Sequence, residues 1–187
     1  MSNLFVVTLS GDLGSGKTTV GHDLATMIGW RFESVGNRMR QLAQEAQMTL
    51  AEFNALSEKD LRIDRDLDRW QMELYENSTE NMIVDGRLSW HFIPGSFKIY
   101  LAVDEQEAAR RIWNSKRANE NKAQSLEETL EANRRRLQSD ILRYNKIYGV
   151  NPYERHHYDL VIDTSHKTPS EIIEELSNNL KENLYWI

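Results

Sequence analysis

The sequence predicts an α/β fold: a parallel sheet covered by helices on both faces, with two helical arms set into it. Three observations carry this expectation. Short β-rich apolar runs recur between segments of helical periodicity. The first run ends in a glycine loop that opens a helix. Two of the intervals between runs, roughly 45 and roughly 55 residues, are longer than a simple crossover requires.

Residues 3–9, NLFVVTL, form the first apolar run and predict a buried strand leading into the loop. Residues 17–29 follow with Val20, Leu24, Met27 and Ile28 at helical spacing and Gly29 as a stop. Residues 30–35, WRFESV, predict a second strand. From Met39 to about Asn77 the pattern is helical, broken near Met48-Thr49 and at Ser57, with Thr49 and Glu52 spaced as a capping box. Further strands are predicted at 81–86, 97–103 and 158–164. A charged helical stretch spans 104–148, in which the polar run 118–128 predicts a loop. An amphipathic helix over 170–184 is expected to start at Ser170 as its cap.

The balance of 40% apolar and 28% charged residues suits a soluble, intracellular globular protein. With 29 acidic and 23 basic residues the net charge is −6, so the general field should repel nucleic acid, and any phosphate ligand must be gripped by basic groups collected locally. The absence of cysteine excludes disulfides and thiolate metal sites. No apolar run approaches the roughly 20 residues that cross a bilayer, and Leu4–Val7 lacks the flanks of a secretion signal. A cytoplasmic location and a monomer without membrane or nucleic-acid partners are therefore expected.

The stretch SGDLGSGKTTVG, residues 10–21, holds the pattern Gly-x4-Gly-Lys-Thr between a predicted strand and a predicted helix. Glycines at 11, 14 and 16 let successive backbone N–H groups turn inward around phosphate oxygens, at the positive end of the following helix. Lys17 then reaches the β and γ phosphates, and the Thr18 hydroxyl is placed to ligate magnesium. The expected ATP-binding residues are Gly11, Asp12, Leu13, Gly14, Ser15, Gly16, Lys17, Thr18 and Thr19.

Splitting a triphosphate needs a positioned water, whereas passing on its phosphoryl group needs a second pocket for the acceptor, and the sequence favours the second. Arg40, at the start of the first arm, and Arg87, after the third strand, both fall at the carboxyl edge of the sheet, where ligands collect. Either alone reads as a surface charge; together they suggest a bidentate clamp on an acceptor phosphate. Asp85 closes an apolar strand, where a carboxylate supports magnesium through water. Arg136 and Arg143 stand two turns apart on one helix face, and both could swing over the transferring phosphoryl group. His156 and His157 show no third ligand at a recognisable spacing and read as loop histidines, and Trp70, Trp90 and Trp113 read as packing residues.

The motifs SVGNRMRQLAQEAQMTLAEFNALSEKD, RIDRDLDRWQ, IVDGRLSWHF, SDILRYNKIYGVN and YDLVIDTS, with the phosphate loop, resemble the cytidylate kinases of the compact archaeal type, in the nucleoside monophosphate kinase group. The likeness runs nearly end to end. It implies a P-loop NTPase fold, three-layer α/β/α, with a five-stranded parallel sheet in the order 2-3-1-4-5. It implies one kinase domain over 1–187: a core (1–36, 81–104 and 149–187), an acceptor-nucleotide arm (37–80) and a mobile lid (105–148). It implies transfer of the γ phosphoryl of ATP, with Mg2+, to CMP or dCMP. Matching positions make Lys17, Arg40, Arg87, Arg136 and Arg143 catalytic. They make Asp64 and Asp68 acceptor-binding carboxylates for the cytosine amine or a ribose hydroxyl. Two positions depart from the pattern. Gly36 is followed by Asn37 where the family has aspartate, and position 115 is Ser where an arginine is usual, with Lys116 and Arg117 just beyond. The alternatives are the same architecture acting on AMP, UMP or a small metabolite, and a nucleotide-binding regulatory protein without turnover.

Overall fold

The computed structural model describes residues 4–57, 59–115 and 123–184. Five strands, β1 (Val6–Gly11), β2 (Arg31–Ser34), β3 (Met82–Asp85), β4 (Phe97–Ala102) and β5 (Leu160–Asp163), form one sheet in the order β2-β3-β1-β4-β5. Every neighbouring pair is parallel, with Val7 opposite Ile83 and Phe97, and Leu101 opposite Ile162.

Alternation along the strands separates the two faces. Val7, Leu9, Ile83, Ile99, Leu101 and Ile162 point to one side, where they pack with Val20 and Leu24 of α1 (Lys17–Ile28) and with Ile172, Leu176 and Leu180 of α8 (Pro169–Leu184). On the other side Val6, Met82 and Val84 pack with Ile93, and Tyr100 and Ala102 pack with Leu88, Trp90 and Tyr158. A short helix, α5 (Ser89–Phe92), lies on this face and was not visible in the periodicity. Tyr144 and Tyr148 of α7 (Leu126–Tyr148) lean on the same aromatic cluster. The result is the expected three layers.

The first arm is built from α2 (Val35–Glu45), α3 (Leu50–Ser57) and α4 (Leu61–Glu76). Thr49 and Glu52 form the anticipated reciprocal cap, with the Thr49 N–H donating to Glu52 Oε2 at 2.8 Å and the Glu52 N–H to Thr49 Oγ1 at 3.2 Å. The second arm consists of α6 (Glu105–Asn114) and α7. Lys116 and Arg117 fall outside the described residues.

Several boundaries differ from expectation. Helix α2 opens at Val35 rather than Met39, because Ser34 Oγ accepts the Asn37 N–H and caps it there. Helix α7 opens at Leu126, inside the stretch read as loop, because Ser125 Oγ caps it through the Glu128 N–H at 3.1 Å. Helix α8 is capped by Thr168 and Glu171 rather than by Ser170, with the Thr168 N–H donating to Glu171 Oε2 at 2.7 Å. Trp113, expected to pack, is exposed. Among the described residues no helix is long and apolar enough to cross a membrane.

Candidate active site

The loop between β1 and α1 adopts the backbone its glycines allow. Gly14 and Gly16 have φ of +75° and +88°, in the left-handed region. A Cβ at Gly14 would lie 2.7 Å from the Ala108 carbonyl oxygen of α6, so only glycine fits where the loop passes under the second arm. Lys17 folds back into the loop and donates to the carbonyls of Gly11 at 2.8 Å and Asp12 at 2.7 Å. Burial pulls its ammonium down to about 8. The nearby guanidiniums of Arg87 and Arg136 add to the fall, and Asp85 and Asp12 oppose it. Thr18 Oγ1 donates to Asp85 Oδ2 at 2.7 Å, and Ser34 Oγ donates to the same oxygen at 2.9 Å. A hydroxyl and a carboxylate thus meet beside the loop, the hard oxygen donors that suit magnesium.

A cavity opens between the two arms and the sheet edge. It is lined by Arg40, Asp64, Asp68, Arg87, Arg136 and Arg143, all six of them singled out in the sequence. Arg40 is half-buried, and its Nη2 donates to Asn37 Oδ1 at 2.5 Å, so the departure at position 37 still orients this guanidinium. Arg87 is deeply placed. Burial alone would lower its pKa, but Asp140, with Oδ2 at 3.0 Å from Arg87 Nε, acts together with Tyr153 and Tyr144 to raise it.

Arg136 and Arg143 do not act from the same place. Two helical turns separate them by roughly 10 Å along α7, so they reach different parts of the cleft. Arg136 is open to solvent on the lip of the cavity and has no hydrogen bond or ion pair among the described residues. The charge of Arg87 lowers its pKa. Arg143 is half-buried against the first arm. Its Nη1 donates to Ser57 Oγ at 3.1 Å and lies 3.6 Å from Asp64 Oδ1, and its Nη2 donates to the Tyr144 hydroxyl at 3.1 Å. The two arginines expected to swing over a phosphoryl group thus stand in different settings: Arg143 bridges α7 to α3 and α4.

Asp64 is 6% exposed, and burial raises its carboxyl despite the opposing pull of Arg143. Its Oδ2 and the Nε of Arg143 are both buried without a hydrogen-bond partner among the described residues. Asp68 is raised to about 6 by burial, against a hydrogen bond from the Tyr148 hydroxyl that favours its charged form.

Sequence reasoning missed Asp140, which also accepts the Tyr153 hydroxyl at 3.0 Å and approaches Arg143 Nη2 at 3.5 Å. The signal was present: in RRRLQSDILRY, Asp140 lies four residues after Arg136 and three before Arg143, on their face of the helix. Also unforeseen was Glu154, whose carboxylate lies 3.7 Å from His156 and 3.8 Å from His157 and supplies the third ligand-type group that spacing had not revealed. His157 stacks on Trp90 at 4.4 Å, so this turn is also packed on the aromatic cluster. A larger hollow of about 610 Å³ runs along α7 between Arg134 and Ile147. It shares only Arg143 with the cavity and lacks Arg40 and Arg87.

Comparison with known proteins identifies the family and the fold. Residues 6–166 match the cytidylate kinase-like family. A cytidylate kinase of Methanocella arvoryzae is 37% identical over 180 residues, covering 95% of this chain and 99% of that protein. A protein of Lacinutrix mariniflava described as an S-adenosylmethionine-dependent nucleotide dehydratase is 35% identical over 167 residues, or 89% of this chain, which spans only 34% of that longer protein. A solved shikimate kinase of Bacteroides thetaiotaomicron superposes with a TM-score of 0.66 over 95% of this chain and 98% of that one. At 14% identity it speaks for the fold alone.

Proposed function

This chain belongs to the cytidylate kinase-like family, and from that premise we propose that it transfers the γ phosphoryl of ATP to CMP or dCMP. One observation carries the reading: four arginines and two carboxylates line a single cavity beside the phosphate loop. The loop N–H groups and Lys17 seat the donor triphosphate. Arg40 and Arg87 take the acceptor phosphate, and Arg136, poised on the lip, meets the phosphoryl group in transit. The acceptor oxygen is already anionic, so no general base is required. Catalysis is then positioning and neutralisation of charge, to which an arginine at the transferring group contributes roughly 10³- to 10⁵-fold.

Thr18 and Asp85 offer the hard oxygen donors that would hold a magnesium ion, which would supply neutralisation of the triphosphate charge. Asp64 and Arg143 support a cytosine base. The buried carboxylate oxygen left over is an acceptor and the buried Nε is a donor. Together they complement the amine and the neighbouring ring nitrogen of cytosine, whereas uracil presents the reverse order. In this reading residues 37–80 form the acceptor arm and residues 105–148 the lid, and closing them excludes water.

The test is a coupled assay of ADP release with CMP, dCMP, UMP, AMP and shikimate as acceptors. Release with CMP and dCMP, and slow hydrolysis without acceptor, are expected. Turnover with shikimate alone would move the chain to a small-metabolite kinase, and fast acceptor-independent hydrolysis would remove the transfer reading.

A further inference from the structure

Asp12 occupies the first variable position of the phosphate loop, and its charge is the wrong sign for a triphosphate site. The structure turns that carboxylate away from the loop's interior. Oδ1 accepts the Tyr100 hydroxyl at 2.5 Å, and Oδ2 accepts the Val103 N–H at 3.0 Å. The Asp12 N–H is held as well, donating to the Leu101 carbonyl at 3.0 Å. The Asp12 carbonyl remains for the loop, where it accepts Lys17 Nζ at 2.7 Å and Ser15 Oγ at 2.9 Å. Tyr100 is a firm anchor: it is 1% exposed, and its ring rests against Tyr158 with centroids 4.8 Å apart. Val103 directly precedes Asp104, which caps α6 by accepting the Gln106 and Glu107 N–H groups. One carboxylate therefore fastens the phosphate loop to the end of β4 and to the root of the second arm.

We propose that Tyr100 is a positioning residue for the donor site, its hydroxyl acting through Asp12 to fix the loop carbonyls on which Lys17 rests. The inference builds on the reading of the loop as the seat of the ATP phosphates. Tyr100→Phe keeps the ring packing and leaves Asp12 Oδ1 charged and unpaired on that side. The loop then relaxes and presents its N–H groups and Lys17 less well. The effect is confined to the donor, because Tyr100 does not line the cavity of Arg40 and Arg87.

The experiment measures calorimetric binding of a non-hydrolysable ATP analogue without acceptor, together with KM for ATP and for CMP, on the full chain. Tyr100→Phe is expected to weaken the analogue about tenfold, the scale of one hydrogen bond to a charged group. KM for CMP should stay within about twofold and the analogue's loss should reappear in KM for ATP. Asp12→Ala, on a half-buried loop, is the second variant should Tyr100→Phe fold poorly, and it should weaken the analogue similarly. The double variant should be no weaker than the worse single, because the pair acts as one unit. Asp12→Asn should recover part of the loss, since its amide can accept from Val103 and donate to the Tyr100 oxygen. Unchanged analogue binding in Tyr100→Phe, additive losses in the double variant, or equal losses for ATP and CMP would each overturn the proposal. If the unaltered chain does not bind the analogue, the donor-site reading itself fails, a result distinct from any of these.

Discussion

Arg87 Nε lies 3.0 Å from Asp140 Oδ2, and this largely buried pair ties the end of β3 to the middle of α7. Asp140 is 5% exposed and lies among Arg87, Arg143 and the Tyr153 hydroxyl. Removing one partner of such a pair strands the other charge in a poorly solvated place. Asp140→Ala is therefore expected to lower stability by about 3–5 kcal/mol, read as a fall in the urea midpoint at unchanged slope. A loss under about 1 kcal/mol would mean that solvent reaches Arg87 and screens it.

Lys17 sets function against stability. Its folded pKa of about 8 lies below the unfolded value of 10.5, so the unfolded chain holds the proton more firmly. The charged amine thus costs stability, fully below about pH 8, and the cost fades as pH rises from there toward 10.5. Lys17→Met should raise the melting temperature at pH 7, with the advantage over the unaltered chain shrinking by pH 10. The same variant should lose roughly 10²-fold or more in kcat, because a charge aimed at the phosphates is gone. A lower melting temperature would show that the ammonium's contacts with the Gly11 and Asp12 carbonyls outweigh its burial.

How far the sequence carried these conclusions depends on the range of the contacts. The loop at residues 10–21, the five strands and the Thr49 cap were legible because their signals are local: glycine spacing, runs of β-formers and a three-residue capping offset. The cavity residues were found singly, since strand ends place Arg40 and Arg87, but their partners are long-range. Nothing near Asp12 announces Tyr100, and nothing near Asp64 announces Arg143. Helix α5 escaped because four residues are too short for a period. The cap of α8 moved from Ser170 to Thr168 because Glu171 completes a reciprocal pair only with Thr168.

Asp68 should leave its mark on the acceptor pH profile. Its carboxyl titrates near 6, raised by burial, and the Tyr148 hydroxyl donates to it from α7. If Asp68 accepts a hydrogen bond from the acceptor, kcat/KM for CMP should fall as pH drops through 6 and the carboxylate is neutralised. The acceptor phosphate also titrates near pH 6, so the comparison with Asp68→Asn is decisive. The variant should keep only the phosphate's share and show a shallower acid limb. Superimposable limbs would remove Asp68 from acceptor binding.

Base selectivity should reside in Asp64. Its Oδ2 and the Nε of Arg143 are buried without hydrogen-bond partners among the described residues, an acceptor and a donor left beside the cavity. An unpaired buried polar atom is unfavourable, and a ligand edge of matching polarity relieves it, so the pair rewards cytosine and penalises uracil. Asp64→Asn replaces the charged acceptor with an amide that can face either way, accepting from cytosine's amine or donating to uracil's oxygen. It also weakens the hold on Arg143, whose Nη1 lies 3.6 Å from Asp64 Oδ1. The ratio of kcat/KM for CMP to that for UMP is therefore expected to drop by roughly 10- to 100-fold, the span of a hydrogen bond to a charged group. The fall should come from a loss with CMP together with a gain with UMP. A uniform decline with both acceptors would assign Asp64 to holding α4 against α7 and leave the base to be read by other residues.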